Sequence, residues 1–409
     1  MFERTVAVMG GCGHVGLPLA IGLAEVGFQT AIYDIDREAC NLVRSGNMPF
    51  QEEQAEAVLR EQLANGRLTV SSDPSVLSAA QFVICVVGTP VDEFLNPMVH
   101  RFFQAVEAIR PHLRDGQILV LRSTLYPETS RKVHEQFLAR GPKIDVVVCP
   151  ERVAQGKGYI EIKSLPQIVA GFTERGIKAA RFLFEPFGVE ICEVQPIEAE
   201  LAKLFNNVWR YITFAVANQF YTLAADFGLD YHRIHHAVTH HYPRGQGLPR
   251  PGFTAGPCLF KDTMQLSAFS SNHFFLGHAA MLVNEGLPLY VVQQMAKKYD
   301  LADMTVGILG MAFKADCDDV RDSLSFKLRK ILATRCKRVL CSDHHVPPKV
   351  LFKATGQIRS EEFLPAQDLV EKSDLVVLGV PHREYKQLDY GGKPVVDIWN
   401  FLGRGGTIA

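Results

Sequence analysis

The run Gly11-Cys12-Gly13-His14-Val15-Gly16 stands directly after a β-branched apolar stretch, TVAVMG at 5–10, and directly before the apolar segment LPLAIGLAE. Glycines at this spacing between a strand and a helix leave few folds open. The first permits a tight turn, the second lets main chain approach a bound group, and the third lets helix pack on strand, while the helix N-terminus offers amide donors to an anion. The next apolar run, QTAIY at 29–33, ends at Asp34, eighteen residues past Gly16. A carboxylate there accepts hydrogen bonds from adenosine ribose hydroxyls and repels a 2′-phosphate. The segment therefore predicts an NAD site built on Gly11, Gly13, His14, Val15, Gly16 and Asp34, with NAD favoured over NADP. His14 reads as a turn residue and not as a catalyst.

The same rhythm continues. FVICVV at 82–87, ILVL at 118–121, DVVV at 145–148 and QIVA at 167–170 are short buried-strand patterns separated by helical ones, as in a parallel sheet with crossover helices. From Pro196 to about Phe227 the pattern becomes one long helix, with Pro in its first turn, Glu198 and Glu200 following, and Gly228 closing it. At 1.5 Å per residue it would span on the order of 48 Å, the length of a spine or a dimer interface. More helices follow to about Tyr299, interrupted by HYPRGQGLPRPGFTAGPC; then TVGILG, RVLCSD, DLVVLGV and PVVDIW read as four further strands. The expected architecture is α/β: two Rossmann-like doubly wound parallel-sheet domains joined by a long central helix and a helical dimerisation region. The expected boundaries are 1–195 for the NAD-binding domain, 196–299 for the helical domain and 300–409 for the C-terminal one.

A chain of 409 residues exceeds one ordinary core, which fits this division. The formal net charge of -1 gives no global attraction to nucleic acid or to an anionic membrane, and neither is expected as a partner. MFERTVAVMGG lacks the plan of a signal peptide and no apolar run reads as long enough to span a bilayer, so a cytoplasmic protein is expected. Nine cysteines without paired spacing argue for free thiols.

One of them is placed for chemistry. In Gly256-Pro257-Cys258-Leu259-Phe260-Lys261-Asp262, a cysteine follows a glycine-proline turn, with a lysine to favour the thiolate and a carboxylate to manage protons. His232, His235, His236, His240 and His241 raise a metal, since His236 and His240 are one helical turn apart, but no acid or cysteine accompanies them. No metal is expected there.

Taken in order, GGCGHVGLPLA, YDID, VVGTP, RSTLYPET, CPERVAQGKG, LPQIVAG, EAELAKLFNNVWR, GPCLFKD and GMAFKADCDDVRDS resemble the UDP-glucose/GDP-mannose dehydrogenase family over essentially the whole length. The resemblance implies a four-electron oxidation of a nucleotide-sugar alcohol to a uronate with NAD. It makes Cys258 the nucleophile and Asp262 a carboxylate that positions water or acts as base. Thr124 becomes a water-holding threonine that also borders the cofactor with Thr89, and Glu151 the active-site glutamate. Lys203 and Asn207 would hold substrate and stabilise oxyanions, Lys314 would hold substrate, and Arg321 would reach the cofactor. Arg152 and Gly256 fall in substrate segments, and Arg244 and Arg250 match loop arginines that reach a neighbouring subunit's site in a homodimer. Glu151, Asp262 and Lys203 remain alternative bases.

Two departures accompany the match: Phe253-Thr254-Ala255-Gly256-Pro257 replaces a glycine-richer loop, and Glu128 stands where the family usually has glycine. CPERVAQGKG and LPQIVAG resemble the UDP-N-acetylhexosamine branch, whereas Lys261 resembles the UDP-glucose branch; both sugars stay open, with the first preferred. β-Hydroxyacid dehydrogenases, which stop after one hydride, share the N-terminal plan but not the Cys258 segment or a C-terminal α/β domain. After GILG the C-terminal part continues MAFK without GxGxxG, which suits a substrate-nucleotide lid.

Overall fold

The computed structural model describes residues 2–355 and 358–405. They form two compact units, Met1–Asn206 and Asn207–Ala409. The first holds an eight-stranded sheet of β1 (Thr5–Met9), β2 (Gln29–Tyr33), β3 (Leu68–Ser71), β4 (Phe82–Cys85), β5 (Ile118–Leu121), β6 (Asp145–Val148), β7 (Gln167–Gly171) and β8 (Ile191–Glu193), in the order 3-2-1-4-5-6-7-8. Along β1, Val6 and Val8 enter one apolar core and Ala7 and Met9 another. Period-two alternation thus buries both faces, which is why the strand reads as a continuous apolar run.

Two details differ from the sequence expectation. β3 and β8 were not anticipated, because LTVS and ICE are short and carry polar residues at the sheet's edges. The sheet is not wholly parallel either: Val147 and Val148 of β6 pair antiparallel with Gly171 and Ala170 of β7, and β8 then runs parallel to β7.

The long helix runs Pro196–Asp226, and Gly228, at φ 68°, closes it by donating its N–H to Ala225 O at 2.9 Å. In the second unit the helix Phe275–Lys298 packs Leu287, Val291, Val292 and Met295 into one core with Val306, Ile308 and Leu375 of the C-terminal sheet. At 24 residues and a mean hydropathy of 1.2 in its most apolar window, this helix has the length and composition to cross a bilayer, correcting the expectation that no such run exists. Its buried face is accounted for by that core.

The C-terminal sheet has four parallel strands, β9 (Thr305–Leu309), β10 (Arg338–Ser342), β11 (Leu375–Leu378) and β12 (Val395–Val396), in the order 10-9-11-12.

Candidate active site

In the first unit the glycine loop is held from behind. Gly10, at φ 75°, donates to Tyr33 O, and a Cβ on it would meet Val86 O at 2.3 Å. Gly11 has Val8 O at 2.7 Å from its would-be Cβ, and Gly16 has Gly10 O at 2.4 Å, so both are glycine for internal packing. Gly13 is different: its would-be Cβ meets nothing closer than Gly10 O at 3.6 Å. It needs to be glycine only if something outside the chain approaches it. Beyond it the helix Gly16–Glu25 opens with no side-chain cap at Val15, leaving its amide end to an anion. The cradle fits a dinucleotide pyrophosphate.

Asp34 completes it. Its Oδ2 accepts from Cys12 N at 3.0 Å and its Oδ1 from Asp36 N at 3.1 Å, which fixes the carboxylate at the loop's edge. The Cys12 thiol turns inward, 3.9 Å from Cys40 Sγ. His14 packs against Phe50 with the rings tilted and their centroids 4.0 Å apart, and its Nε2 lies 3.4 Å from Gln155 Nε2. We expect Gly13→Ala to leave thermal stability within about 1 kcal/mol of the parent, since the Cβ has room, yet to weaken NAD about tenfold or more. Calorimetric titration with NAD checks this; unchanged affinity would place the cofactor elsewhere.

Thr89 Oγ1 donates to Thr124 O at 2.7 Å, tying the ends of β4 and β5. Glu151 is largely committed. One carboxylate oxygen is ion-paired with the fully buried Arg122, and Oε1 accepts from Arg152 N at 2.6 Å and Val153 N at 3.0 Å. The Arg152 guanidinium turns to Pro166 O. Glu128, at φ 73°, holds the left-handed backbone that a glycine would adopt freely, which is the physical content of that departure. Its N–H and that of Ser130 both donate to the buried Glu200, at 2.7 Å each, so Glu200 serves the start of the helix Thr129–Ala139. Burial pushes the Glu200 carboxyl above its ordinary value even so. Lys203 lies half-buried on the long helix.

In the second unit Cys258 is exposed and forms the N-cap of the helix Leu259–Phe269, accepting Asp262 N at 2.9 Å through its carbonyl. A helix N-terminus favours the thiolate. Burial pushes the Cys85, Cys149 and Cys341 thiols up to about 12, so these remain protonated at neutral pH. Gly256, at φ 103°, sets the turn before Cys258, and a Cβ there would strike the Phe313 ring at 2.5 Å. Asp262 is fully buried, taking Asn207 Nδ2 at 2.5 Å on one oxygen and Lys261 Nζ at 2.5 Å on the other.

Lys261 is tied to Asp262, and Arg321, itself bidentate to Asp319 at 2.6–3.1 Å, is a further cation that interacts electrostatically with Cys258. Lys314 sits over the Phe313 ring at 5.8 Å.

The loop leading to Cys258 is anchored by two buried asparagines: Asn218 holds Gly252 through both its amide groups, and Asn284 Oδ1 accepts Asn218 Nδ2 at 2.9 Å. Arg250 and Arg244 are exposed on this loop. Arg250 also lines a cavity of about 690 Å³ with Lys386, Arg404, Tyr390, Trp399 and Phe401, where cations and aromatic rings offer phosphate and base contacts. None of these five partners was picked out by sequence reasoning, being scattered over the last 24 residues.

At the head of the C-terminal sheet, Asp343 Oδ2 takes the amides of Met311 and Ala312 at 2.6 and 2.9 Å. A phosphate in a glycine loop would use the corresponding donors. Of the histidines at 232–241, His232 Nε2 lies 3.2 Å from Ile398 O and His235 Nε2 2.9 Å from Leu248 O, while the His236 and His240 rings are 4.4 Å apart.

Comparison with known proteins accords with these features. Residues 4–188 match the NAD binding domain of the UDP-glucose/GDP-mannose dehydrogenase family, 197–285 its central domain and 307–404 its UDP binding domain. The chain is 28% identical over 422 residues to a UDP-N-acetyl-D-mannosamine dehydrogenase of Methanocaldococcus jannaschii, covering 96% of this chain and 92% of that one. It is 28% identical over 404 residues to an NDP-N-acetyl-D-galactosaminuronic acid dehydrogenase of Ralstonia nicotianae, covering 94% and 92%. Among solved structures, the UDP-D-ManNAc dehydrogenase of Pyrococcus horikoshii superposes with a TM-score of 0.85 at 26% identity, covering 95% of this chain and 91% of that one. A UDP-glucose dehydrogenase of Pyrobaculum islandicum gives 0.86 at 26%, covering 97% and 94%. The chain belongs to the UDP-glucose/GDP-mannose dehydrogenase family and is an NAD-dependent nucleotide-sugar dehydrogenase.

Proposed function

We propose that this enzyme oxidises the C6 alcohol of a UDP-N-acetylhexosamine to the uronate in two successive oxidations, with Cys258 as covalent nucleophile. The observation that carries the reading is an exposed thiol at a helix N-terminus, one turn from the buried Asp262 and in electrostatic interaction with Arg321. The glycine cradle and Asp34 hold NAD, which when bound accepts the hydride of each oxidation. Lys203 or a water held by Asp262 takes the hydroxyl proton. The Cys258 thiolate then adds to the aldehyde carbon, giving a thiohemiacetal whose oxidation leaves a thioester. Water, deprotonated by Glu151 or Asp262, adds to the thioester carbonyl; the carbon–sulfur bond breaks, releasing carboxylate and restoring the thiolate. Asn207, oriented by Asp262, and Lys203 stabilise the oxyanions.

The cavity at Arg250, Lys386 and Trp399 suits the nucleotide part. The names of the relatives support an acetamido sugar; UDP-glucose is the second reading, favoured by Lys261 and by the Pyrobaculum islandicum structure. A panel of UDP- and GDP-sugars with NAD tests the proposal. Two NADH per acid formed on a UDP-N-acetylhexosamine supports it, and one NADH per turnover would instead favour a β-hydroxyacid-type reaction.

The division into an NAD-binding domain (1–195), a helical domain (196–299) and a nucleotide-binding domain (300–409) is part of this reading, as is a cytoplasmic setting, which suits nine free cysteines among the described residues. So is a homodimer. Phe205, Trp209, Val216, Phe220 and Leu223 are exposed at intervals that keep them on one stripe of the long helix, 39–68% open to solvent, and Phe227 just beyond its end is exposed too. Such a stripe needs a cover, and a second copy presents the same apolar stripe. Trp209→Glu with Phe220→Glu should convert dimer to monomer in light scattering, since buried aromatic anchors each contribute about 2 kcal/mol or more. A persistent dimer would show that the interface lies elsewhere.

A further inference from the structure

The segments that leave β9, β10 and β11 converge on a cluster that the dehydrogenase chemistry does not use. Asp316, His345 and His382 offer side-chain donor atoms within 4.8 Å of one another. Glu384 adds a fourth group, its Oε2 shielded from solvent and 3.3 Å from His345 Nε2. Asp316 Oδ1 lies 3.9 Å from the same nitrogen, and His344 Nε2 is 3.7 Å from Glu384 Oε1.

His382 is already committed. Its Nδ1 accepts Asp316 N at 2.9 Å, so its proton is on Nε2, 3.2 Å from Asp343 Oδ2. It therefore acts as a brace between two of the three segments. Asp343 Oδ1 in turn accepts the N–H groups of His345 and Val346 at 2.8 and 2.9 Å, which pins the turn that carries the paired histidines. Arg383 holds both oxygens of Asp316, donating from its guanidinium to Oδ2 at 2.9–3.0 Å and from its N–H to Oδ1 at 3.1 Å, and this fixes Oδ1 where its other lone pair can face His345. The remaining donors are two imidazoles and two carboxylates, fixed from behind by the kind of outer partners that orient metal ligands.

We propose that His345, Glu384 and Asp316, with His344 at the rim, form a site for a divalent transition ion of the Zn2+ type. Ligand atoms at about 2.0–2.2 Å around one tetrahedral ion stand roughly 3.3–3.6 Å apart, and the contacts of His345 and Glu384 are at or within a few tenths of that spacing. Charge agrees. Asp316, Glu384 and Asp343 carry three negative charges against the single positive charge of Arg383, a deficit that one dication and two neutral imidazoles balance. Mixed nitrogen and oxygen donors select Zn2+ or Co2+ over Mg2+ and Ca2+, which take oxygen. The ion would clasp the three segments leaving the C-terminal sheet, one of them two residues past Lys314. This inference does not depend on the choice of sugar or on the role of Cys258.

The test uses full-length protein stripped with chelator and titrated with Co2+. The expected result is one equivalent bound with the visible spectrum of a four-coordinate ion, displaced by Zn2+, and a higher thermal midpoint in the presence of Zn2+. His345→Ala and Glu384→Gln should each lose the spectrum and the midpoint shift. His344→Ala, at a half-exposed rim, should weaken binding without abolishing it, which keeps the test informative if His345→Ala fails to fold. His236→Ala with His240→Ala, and Cys258→Ser, should leave the signal intact. No spectrum in the parent protein, one that survives His345→Ala, or one lost with His236 and His240 or with Cys258 would overturn the assignment.

Discussion

Cys258→Ala should bind NAD with the affinity of the parent enzyme and form no uronate. The variant keeps the helix Leu259–Phe269, whose first hydrogen bond uses the Cys258 carbonyl and not its sulfur. It also keeps the Asp262 pairing with Asn207 and Lys261. In the proposed mechanism, what disappears is the group that captures the aldehyde, so the second oxidation would have no thiohemiacetal to act on. Losing a nucleophile typically costs on the order of 10⁴-fold or more in turnover. Mass spectrometry of the product, with NADH counted in a single turnover, separates the steps: at most one NADH per substrate and no acid are expected. Acid formed at the parent rate would remove Cys258 from the mechanism. Cys258→Ser is the sharper companion, since a hydroxyl is a far weaker nucleophile at neutral pH than a thiol at a helix N-terminus.

The same site shows what can be read from a chain without its fold. The glycine loop and Asp34 were legible because turn, strand and acid are encoded within about thirty residues, each by a local steric or hydrogen-bonding demand. The long helix and the four C-terminal strands were legible for the same reason, being written in apolar periodicity and a closing glycine. β3 and β8 were not, because edge strands of three or four residues bury too little to leave a pattern. The antiparallel seam between β6 and β7 depends on how the chain returns after residue 148, which composition does not encode. At the thiol, spacing points to Lys261, and Arg321, 63 residues beyond Cys258, is a second cation that interacts electrostatically with it. Pairings across such distances are decided by tertiary packing, and only the resemblance to a family had placed Arg321 near the site at all.

Glu151 illustrates the other side of that lesson, and its removal should have the largest effect on stability. Arg122 has no exposed side-chain surface; its guanidinium donates to Cys149 O at 3.0 Å and Gln167 Oε1 at 3.1 Å, lies 4.9 Å from the centre of the Phe184 ring, and finds its counter-charge in Glu151. Taking away one member of a buried ion pair strands the other in a medium that solvates it poorly, at a cost of about 3–5 kcal/mol, whereas replacing both with apolar residues can be neutral. Glu151→Ala should therefore lower the urea midpoint of the NAD-binding half sharply. Arg122→Met combined with Glu151→Leu should recover most of that loss. If Glu151 also serves the reaction, the double variant will regain stability without regaining turnover, and Glu151→Gln, which keeps shape and hydrogen bonds, will lose turnover out of proportion to stability. A double variant as active as the parent would leave Glu151 with a purely structural task and shift the role of base to Asp262 or Lys203. Because the pair is buried and its members and partners come from the residues just after β5 and β6 and from the start of β7, the carboxylate's position depends on the sheet. A base held that rigidly gains orientation and loses freedom to follow its substrate.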